Sequence, residues 1–544
     1  MKVAILGLHT VLLGYLLLGN LIGCSINLPD PEAPLTTPTA FVRPAPALPP
    51  ITTGFVYEVP GAESAWPNYN GTLIGDRDVG PTSSQESDQL QLEVRKNYGA
   101  AIQIYDKVTK QPLINFFDLG RESGMGSYGG PRSFSSDSPK WSGIGYNPLQ
   151  AGDYAGHSSP ILFHGFINGW IYTKAQCLSW AHSDARKLPF FYEQWVRLDG
   201  NKIHVKVRLT HQRADKTFYE PESQEWPFMM VNGARKVHFY NGDKPFTNDV
   251  ATVTDGIEGK VNGEYITHQL TPFGLTEPWQ AVEIGPDRLI GLYTPGYFWA
   301  NYNVSNLAAN ESWEGGNTIT YIANLPMVHL DSDNTWYKEY TYVIGTESEI
   351  RAYAYAQERF AQPDFFFNRF NGRNGWAIFD GGYDQKEPFT GNNWEATLTG
   401  KEQNGLLNAY NAKLISPHGS WKAADFNTVY LRMAYAGPPG TGAQAPLRLT
   451  WLINGQAPEG VDNAYPTQNK ARFPKGVRNR TEQSLQFMAI NDGQFHTYKF
   501  SFANQPKWTG IIQQFELAHE ATPTYVAPGE KLTMQYFGTR NPGE

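Results

Sequence analysis

Short runs in which apolar and polar residues alternate dominate this chain. The clearest run covers 202–209, where every second position is apolar: Ile203, Val205, Val207 and Leu209. A period of two predicts a strand with one face in a core and the other toward solvent. A second run, 496–502, places aromatic residues on one face in the same way. Helical periodicity is scarce, and its best candidate is 347–361. The pattern therefore predicts an all-β fold of large antiparallel sheets.

Composition supports this prediction and excludes other classes. Aromatic residues make up 14% of the 544 residues, with 53 Gly and 38 Pro, but only 18% are charged. Coiled coils and disordered chains have the opposite balance. Aromatic residues favour strands, and Gly and Pro favour the turns between them. The net charge of −8 shows no footprint for phosphate, so nucleic acid is not an expected partner.

The first 23 residues have the pattern of a signal peptide. An apolar core at 11–22 follows a positively charged start and ends in small residues. The end of this segment, Leu-Ile-Gly followed by Cys24, resembles the lipobox of bacterial lipoproteins. The resemblance implies cleavage before Cys24, a lipid on its sulfur and a membrane partner through that anchor. The expected location is the bacterial cell envelope, in the outer membrane if the cell is Gram-negative, because Ser25 and not Asp follows. An ordinary secretory signal is the alternative.

Breaks in the sequence divide the remainder of the chain. Residues 24–50 are rich in Pro and are predicted to form an extended tether. A Gln-Pro-Asp break then separates 51–362 from 363–544. We predict a large β-supersandwich with the catalytic site in 51–362, and a jelly-roll sandwich that binds carbohydrate in 363–544.

A glycine-rich stretch at 120–157 is a candidate binding loop. It lacks a nucleotide-binding glycine pattern, and long loops without secondary structure are often functional. Aromatic faces stack on pyranose rings, while amides and charged groups bind the hydroxyls. The stretch supplies the sugar-site candidates Trp141, Tyr146, Gln150, Asp153 and His157. The alternative is a surface loop with scattered polar residues.

An acidic cluster at 219–227 supplies candidate catalytic carboxylates. A glycosidase needs two carboxyl groups, one as the acid and one ionised. Glu225 is the best candidate because Gln224 and Trp226 flank it, and an adjacent Trp raises a carboxyl pKa by desolvation. The partner candidates are Asp153, Glu193 and Glu277. A solvated acidic loop is the alternative.

Histidines and arginines leave a second chemistry open. No spacing typical of a transition-metal site occurs, so no metal is expected there. His157 and His211 adjoin polar clusters and can act as general bases. A polysaccharide lyase pairs such a base with a cation, for which Arg208 is a candidate. No cofactor is expected other than a structural calcium at the acidic run 75–88, for which a plain acidic turn is the alternative.

Further aromatic residues are candidates for sugar stacking. Trp299 lies in the aromatic row 295–302, which is predicted to wall a cleft. The substrate-binding candidates across the chain are Trp141, Tyr146, Gln150, Arg208, Gln224, Trp226 and Trp299.

Two resemblances extend this interpretation. The run 90–345 resembles the galactose mutarotase-like β-supersandwich of carbohydrate-active proteins, through 146–153, 193–208, 224–227 and 240–242. The second part resembles jelly-roll domains appended to secreted glycan enzymes, through 374–376, 492–498 and 506–510. The latter resemblance implies sugar-binding roles for exposed aromatic residues, with Trp421, Trp451 and Trp508 as candidates.

Together these features predict a surface-anchored lipoprotein that acts on a polysaccharide or oligosaccharide. The first hypothesis is glycoside hydrolysis by Glu225 with Asp153. The alternatives are a polysaccharide lyase with a His or Tyr base, and a glycan-binding protein without catalysis.

Overall fold

The computed structural model describes most of the chain after residue 81. The described residues are 59–60, 82–214, 219, 221–254, 257–261, 264–267, 272–305, 318–330, 334–367, 373–379, 389–390, 393–398, 401–403, 406–408, 413–437, 442–455, 483–519 and 530–543. Strands make up most of this part, which confirms the predicted all-β class.

The first part of the chain forms the strands β1 to β24. Their bounds are Val59–Pro60, Thr82–Glu86, Leu90–Arg95, Ala101–Asp106, Gln111–Pro112, Ser123–Gly126, Pro148–Leu149, Ile161–Ile167, Trp170–Ser179, Lys187–Asp199, Lys202–His211, Glu222–Ser223, Glu225–Asn232, Val237–Phe239, Thr252–Thr254, Ile257–Val261, Glu264–Thr267, Phe273–Gly274, Trp279–Gly285, Arg288–Tyr293, Trp299–Ser305, Ile319–Asn324, Met327–Val328 and Asn334–Gly345. Short 3₁₀ turns lie at Lys96–Tyr98 and Arg132–Ser135.

Two sheets enclose the core of this first domain. The large sheet has 16 strands among the described residues, in the order β15-β14-β19-β20-β24-β11-β10-β9-β7-β6-β13-β22-β21-β18, with β1 on β24 and β8 on β9. A four-stranded sheet, β2-β3-β4-β5, packs on it. Leu92 and Ile104 of the small sheet share one core with Val205 and Leu209 of the large one. The period of two at 202–209 thus predicted its strand and its buried face correctly.

One helix, α1 at Glu347–Tyr355, follows β24. Thr346 caps its first turn, because its side chain accepts from the backbone of Glu349 while the Glu349 carboxylate bonds back. Ile350 and Ala354 are buried against β20 and β24, whereas the residues after Tyr355 have no continuous buried face. Helices gain most of their stability from packing, so the helix ends earlier than the predicted residue 361.

The second part of the chain forms β25 to β38 and a 3₁₀ turn at Ala423–Asp425. The strands are Asp364–Phe366, Ala377–Phe379, Phe389–Thr390, Asn393–Leu398, Lys401–Gln403, Leu406–Asn408, Lys413–Ile415, Trp421–Lys422, Thr428–Ala436, Gln444–Ile453, Ser484–Ile490, Phe495–Ser501, Ile511–His519 and Glu530–Gly538. Two six-stranded antiparallel sheets, β27-β28-β38-β33-β36 with β25 and β26-β31-β37-β34-β35 with β32, enclose an aromatic core.

The tryptophans expected to be exposed in this sandwich belong to its core. Trp421 and Trp451 are almost completely buried, and Trp508 stacks on Phe502 with ring centroids 3.8 Å apart. The expectation of exposed sugar-binding rings was therefore wrong for Trp421 and Trp451, because both face inward between the sheets.

Specific contacts join the two parts of the chain. The backbone N–H of Ile378 donates to His329 Nε2 at 3.0 Å, and Gln513 Nε2 donates to the carbonyl of Leu275 at 3.0 Å. An N–H can only donate, so His329 Nε2 is an acceptor and its hydrogen lies on Nδ1. Burial, and then the nearby charge of Arg373, lowers the pKa of His329 well below its ordinary value, which keeps this link neutral.

Candidate functional site

Glu225 is the first residue of β13, which lies between β6 and β22 in the large sheet. Its Oε1 accepts from Tyr321 Oη at 2.7 Å, and its Oε2 accepts from Tyr128 Oη at 2.9 Å. Gly126 faces this carboxylate, and a Cβ there would lie 3.0 Å from Glu225 Oε2. The missing side chain at this position therefore makes room for the carboxylate.

The two tyrosines define the chemical state of this carboxylate. Burial, and then the charge of Glu225, raises the pKa of Tyr321 well above its ordinary value, so its hydroxyl keeps the hydrogen that it donates. A carboxylate that accepts at both oxygens has the arrangement of the ionised form. Glu225 is therefore placed to accept a proton or attack, rather than to donate a proton. Tyr128 is partly exposed, which gives the group a side toward solvent.

Gln224 positions Tyr128 rather than presenting its amide to a ligand. Its Oε1 accepts from the backbone N–H of Tyr128 at 2.7 Å, and its Nε2 donates to the Tyr128 carbonyl at 2.9 Å. Nε2 also lies within 3.2 Å of the Val328 carbonyl. The side chain is completely buried, and its hydrogen bonds link Tyr128 to Val328 beside Glu225.

A cluster of rings around Trp336 brings several of the predicted residues together. The ring centroid of Trp336 lies 5.7 Å from Trp226 and 6.5 Å from His211. His211 Nε2 is bonded to Tyr146 Oη at 2.9 Å. These residues are almost fully buried, and Trp226 donates to Ser127 Oγ at 2.9 Å. The cluster forms a rigid wall next to Glu225.

A cavity of about 30 Å³ lies where the two domains meet, and we call it the junction cavity. Its lining includes Trp299, His329 and Trp336 of the first domain and Trp376 and His418 of the second. Trp299 stacks on His418, with centroids 4.2 Å apart and planes inclined by 13°. Burial lowers the pKa of His418 to about 3, so this ring is neutral. Trp299 thus walls a cavity, and its partner ring comes from the other domain.

Lys338 connects the Glu225 region with the junction cavity. Its Nζ lies 5.5 Å from the ring centroid of Trp226 and 5.0 Å from that of Tyr297, which lines the cavity. A buried ammonium against two aromatic faces is held by cation–π attraction. Lys338 thus links Trp226, the chain neighbour of Glu225, to Tyr297 of the cavity lining.

Asp153 and His157 form a separate network in the glycine-rich loop. Asp153 Oδ1 accepts from the backbone N–H groups of Ala155 and His157 at 3.0 Å, and Oδ2 lies 2.8 Å from His157 Nδ1. The N–H of Ala185 also donates to Oδ2 at 3.1 Å. Asp153 is completely buried and organises its loop, whereas Glu225 is held by the two tyrosines. The two carboxyl groups belong to different networks.

The other two partner candidates are each paired with an arginine. Glu193 accepts two hydrogen bonds of 2.7 Å from Arg208, which lies directly opposite on β11. Burial raises the pKa of Glu193, but the Arg208 charge and hydrogen bonds outweigh burial and leave it below its ordinary value. Glu277 lies 3.2 Å from Arg351 and is also completely buried. Arg208 is thus engaged in a buried ion pair.

Gln150 and Trp141 are buried in the first domain. Gln150 Nε2 donates to Glu122 Oε2 at 2.7 Å. Burial raises the pKa of Glu122 well above its ordinary value. Trp141 lies 6.3 Å from Trp180 by ring centroids. Neither predicted residue lines the junction cavity among the described residues.

Tyr128, Tyr321 and Lys338 are the members of the site that sequence reasoning did not single out as a group. Tyr128 lies in the glycine-rich stretch, and this position was the only available signal for it. Tyr321 and Lys338 lie on β22 and β24, where their neighbours form ordinary strand patterns. Their role depends on contacts between strands that are distant in sequence.

Some of the other predicted features lie within the described residues and some lie outside them. Cys24 and residues 75–81 lie outside the described residues, and Glu86 is ion-paired with Lys107 at 2.9 Å. Within the described ranges, no group of three or more His, Cys, Asp or Glu side chains is arranged for a metal ion. No helix in those ranges is long and apolar enough to span a membrane. Cys177 is buried, and burial raises the pKa of its thiol.

Comparisons with known proteins give similarity only to solved structures, since no family model and no curated protein matches the chain. A galactose mutarotase-like protein from Lactobacillus casei is 11% identical over 48% of this chain and 99% of its own, with a TM-score of 0.30. A 4-alpha-glucanotransferase from Thermococcus litoralis is 12% identical over 49% of this chain and 38% of its own, with a TM-score of 0.26.

An alpha-N-acetylgalactosaminidase from Bifidobacterium bifidum, solved with GalNAc, is 8% identical over 52% of this chain and 40% of its own, with a TM-score of 0.30. Galactose mutarotase-like proteins, the class that the sequence resembles, are thus among the similar structures. Similarity at this level assigns no activity to the chain.

Proposed function

We propose that this chain is a lipid-anchored protein of the bacterial cell envelope that binds a polysaccharide or oligosaccharide beside the domain junction and hydrolyses it with Glu225. The observation that carries the proposal is the Glu225 carboxylate, which Tyr128 and Tyr321 orient and which Trp226 adjoins. An oriented carboxylate supplies the nucleophile or base of a glycosidase. Anchoring rests on Cys24 and its lipobox-like context.

The role assigned to Glu225 is that of the ionised carboxylate. Hydrolysis also needs an acid that protonates the leaving oxygen. Asp153, Glu193 and Glu277 are held in other networks, so each is a poor fit for that partner. The proposal therefore assigns the acid to another group near Glu225.

The test is product release from neutral and acidic polysaccharides by the full chain, purified in mild detergent. New reducing ends should appear with the wild type and fall by about 10²-fold or more in Glu225→Gln, since acid–base and nucleophilic groups contribute at least that much. Glu222→Gln is the matched control, because this carboxylate lies three residues earlier and pairs with Arg132 at 2.8 Å. An unchanged rate in Glu225→Gln would refute the assigned role.

A second candidate is glycan binding without catalysis. The specific observation that favours it is that Asp153, Glu193 and Glu277 all interact with other residues of their own networks. A glycan-binding protein needs no catalytic acid. Binding without product release would support this candidate. Ultraviolet absorbance of an unsaturated product would instead indicate a lyase and direct attention to the histidines and to the tyrosines around Glu225.

A further inference from the structure

Three buried N–H donors from the two domains line the junction cavity without using their hydrogens. Trp299 Nε1, Trp376 Nε1 and His418 Nε2 have no hydrogen-bond partner among the described residues. Each side chain is more than nine-tenths buried. An indole N–H can only donate, and a buried donor is destabilising unless something accepts from it. An occupant that supplies acceptor atoms would satisfy these donors.

The hydrogen of His418 is assigned by its neighbour. Gln514 Nε2, a donor, lies 3.5 Å from His418 Nδ1, so Nδ1 is the acceptor of this long contact. The ring is neutral, and its single hydrogen therefore lies on Nε2. His418 thus joins the two tryptophans as a donor among the residues of the cavity lining.

Positively charged side chains lie close to the junction cavity. Lys338 Nζ lies 5.0 Å from the ring centroid of Tyr297, which lines the cavity. The positive charge of Arg373 acts on His329, another lining residue. No acidic residue is among the described residues of the lining. In a buried site such cations and N–H donors stabilise an oxyanion more strongly than they would in water.

The size of the cavity limits what enters it. A volume of about 30 Å³ holds roughly two water-sized groups, since a cavity needs about 10–15 Å³ for one water. A pyranose ring is much larger than this. The two oxygens of a carboxylate match this space, and the partly exposed lining residues Pro326, Met327 and Pro417 can contact the rest of such a ligand.

We propose that the junction cavity binds the carboxylate of an acidic sugar residue, with Trp299, Trp376 and His418 donating to its oxygens. This inference rests on the proposed function and narrows its substrate class to glycans that contain uronic acids. Binding then depends on both domains, because Trp299 belongs to the first domain and the other two donors belong to the second.

The experiment measures binding to the full chain by calorimetry. The probes are homogalacturonan, alginate, hyaluronan and glucuronoxylan, the carboxyl-reduced form of each, and neutral galactan, mannan and xylan. Trp376→Phe and Trp299→Phe remove one N–H each and keep an aromatic ring. Trp394→Phe is the matched control, because Trp394 Nε1 is also buried and unpartnered in the described part of the second domain but lies outside the cavity lining.

The expected result is binding to at least one acidic glycan, weakened about tenfold by carboxyl reduction and by each of the two cavity variants, since a charge-assisted hydrogen bond contributes about that factor. Trp394→Phe should bind like the wild type. Equal binding of the native and carboxyl-reduced glycans, or binding to neutral glycans alone, would overturn the carboxylate proposal and leave the proposed function standing. Absence of binding to every glycan would overturn both.

Discussion

Glu122→Gln replaces a completely buried carboxyl with an amide of nearly the same shape. Gln150 Nε2 donates to Glu122 Oε2 at 2.7 Å, while Glu122 Oε1 and Gln150 Oε1 are both buried without a partner among the described residues. A buried acceptor that lacks a donor is unfavourable. A proton on Glu122 Oε1 gives that atom a hydrogen to donate, and it agrees with the pKa of Glu122, which burial raises well above 4.5.

The size of the effect follows from one proton. In the unfolded chain Glu122 ionises near its ordinary pKa of 4.5, whereas in the folded chain it stays protonated to a much higher pH. The stability associated with this proton is complete below pH 4.5 and falls as the pH rises toward the folded pKa. The slope is about 1.4 kcal/mol per pH unit for one proton. The amide of Glu122→Gln has no such loss, because it carries its hydrogens at every pH.

The assay is urea unfolding of the wild type and Glu122→Gln at about pH 5, 6 and 7, with the free energy obtained by linear extrapolation. The variant should gain stability over the wild type as the pH rises through this range, by up to about 1.4 kcal/mol per pH unit. Glu86→Gln, a surface carboxyl paired with Lys107, measures the effect of losing any carboxyl. Parallel pH profiles for the wild type and Glu122→Gln would refute the protonated state of Glu122.

The remaining predictions concern stability and use the same unfolding assay. Arg208→Met should cost about 3–5 kcal/mol, because it leaves the buried Glu193 carboxylate without its partner; an unchanged midpoint would contradict this. Thr346→Ala should cost about 1 kcal/mol by removing the cap of α1, and Thr346→Ser should retain most of it. Burial lowers the pKa of His238, but hydrogen bonds to two carboxylates outweigh it and raise the pKa above 6.5. The stability lost in His238→Gln should therefore be largest below about pH 6.5 and should shrink as the pH rises through the folded pKa; a pH-independent loss would count against the ion pairs.

The fold was predictable where a local pattern has one physical cause. In 202–209, alternation reflects a strand with one face in a core, and the structure has that strand with that face buried. The start of α1 was predictable for the same reason, since Thr346 and Glu349 form a cap within four residues. Its end was not, because the helix stops where its tertiary packing stops. The exposure of Trp421 and Trp451 was predicted wrongly, since a strand pattern does not tell which face meets the opposite sheet.

The candidate site was predictable only at its centre. Glu225 and Trp226 stand out because an acidic residue and an aromatic residue adjoin in the sequence. The tyrosines that orient Glu225 are 97 and 96 residues away, so no spacing could connect them. Asp153 was predicted as the partner carboxylate. Its hydrogen bonds to residues two and four positions later are a local loop arrangement, and they explain this aspartate without any ligand.

The same distinction separates the two halves of the proposed binding region. Around Glu225, the carboxylate oxygens and the Gln224 amide have protein partners, so this arrangement is complete without a ligand. In the junction cavity, by contrast, donors remain that the described protein does not satisfy. A preorganised reactive group is oriented by the protein before any ligand binds. A binding pocket, in contrast, has donors that only a ligand satisfies. Trp336 lines the cavity and packs on Trp226, the chain neighbour of Glu225, with centroids 5.7 Å apart.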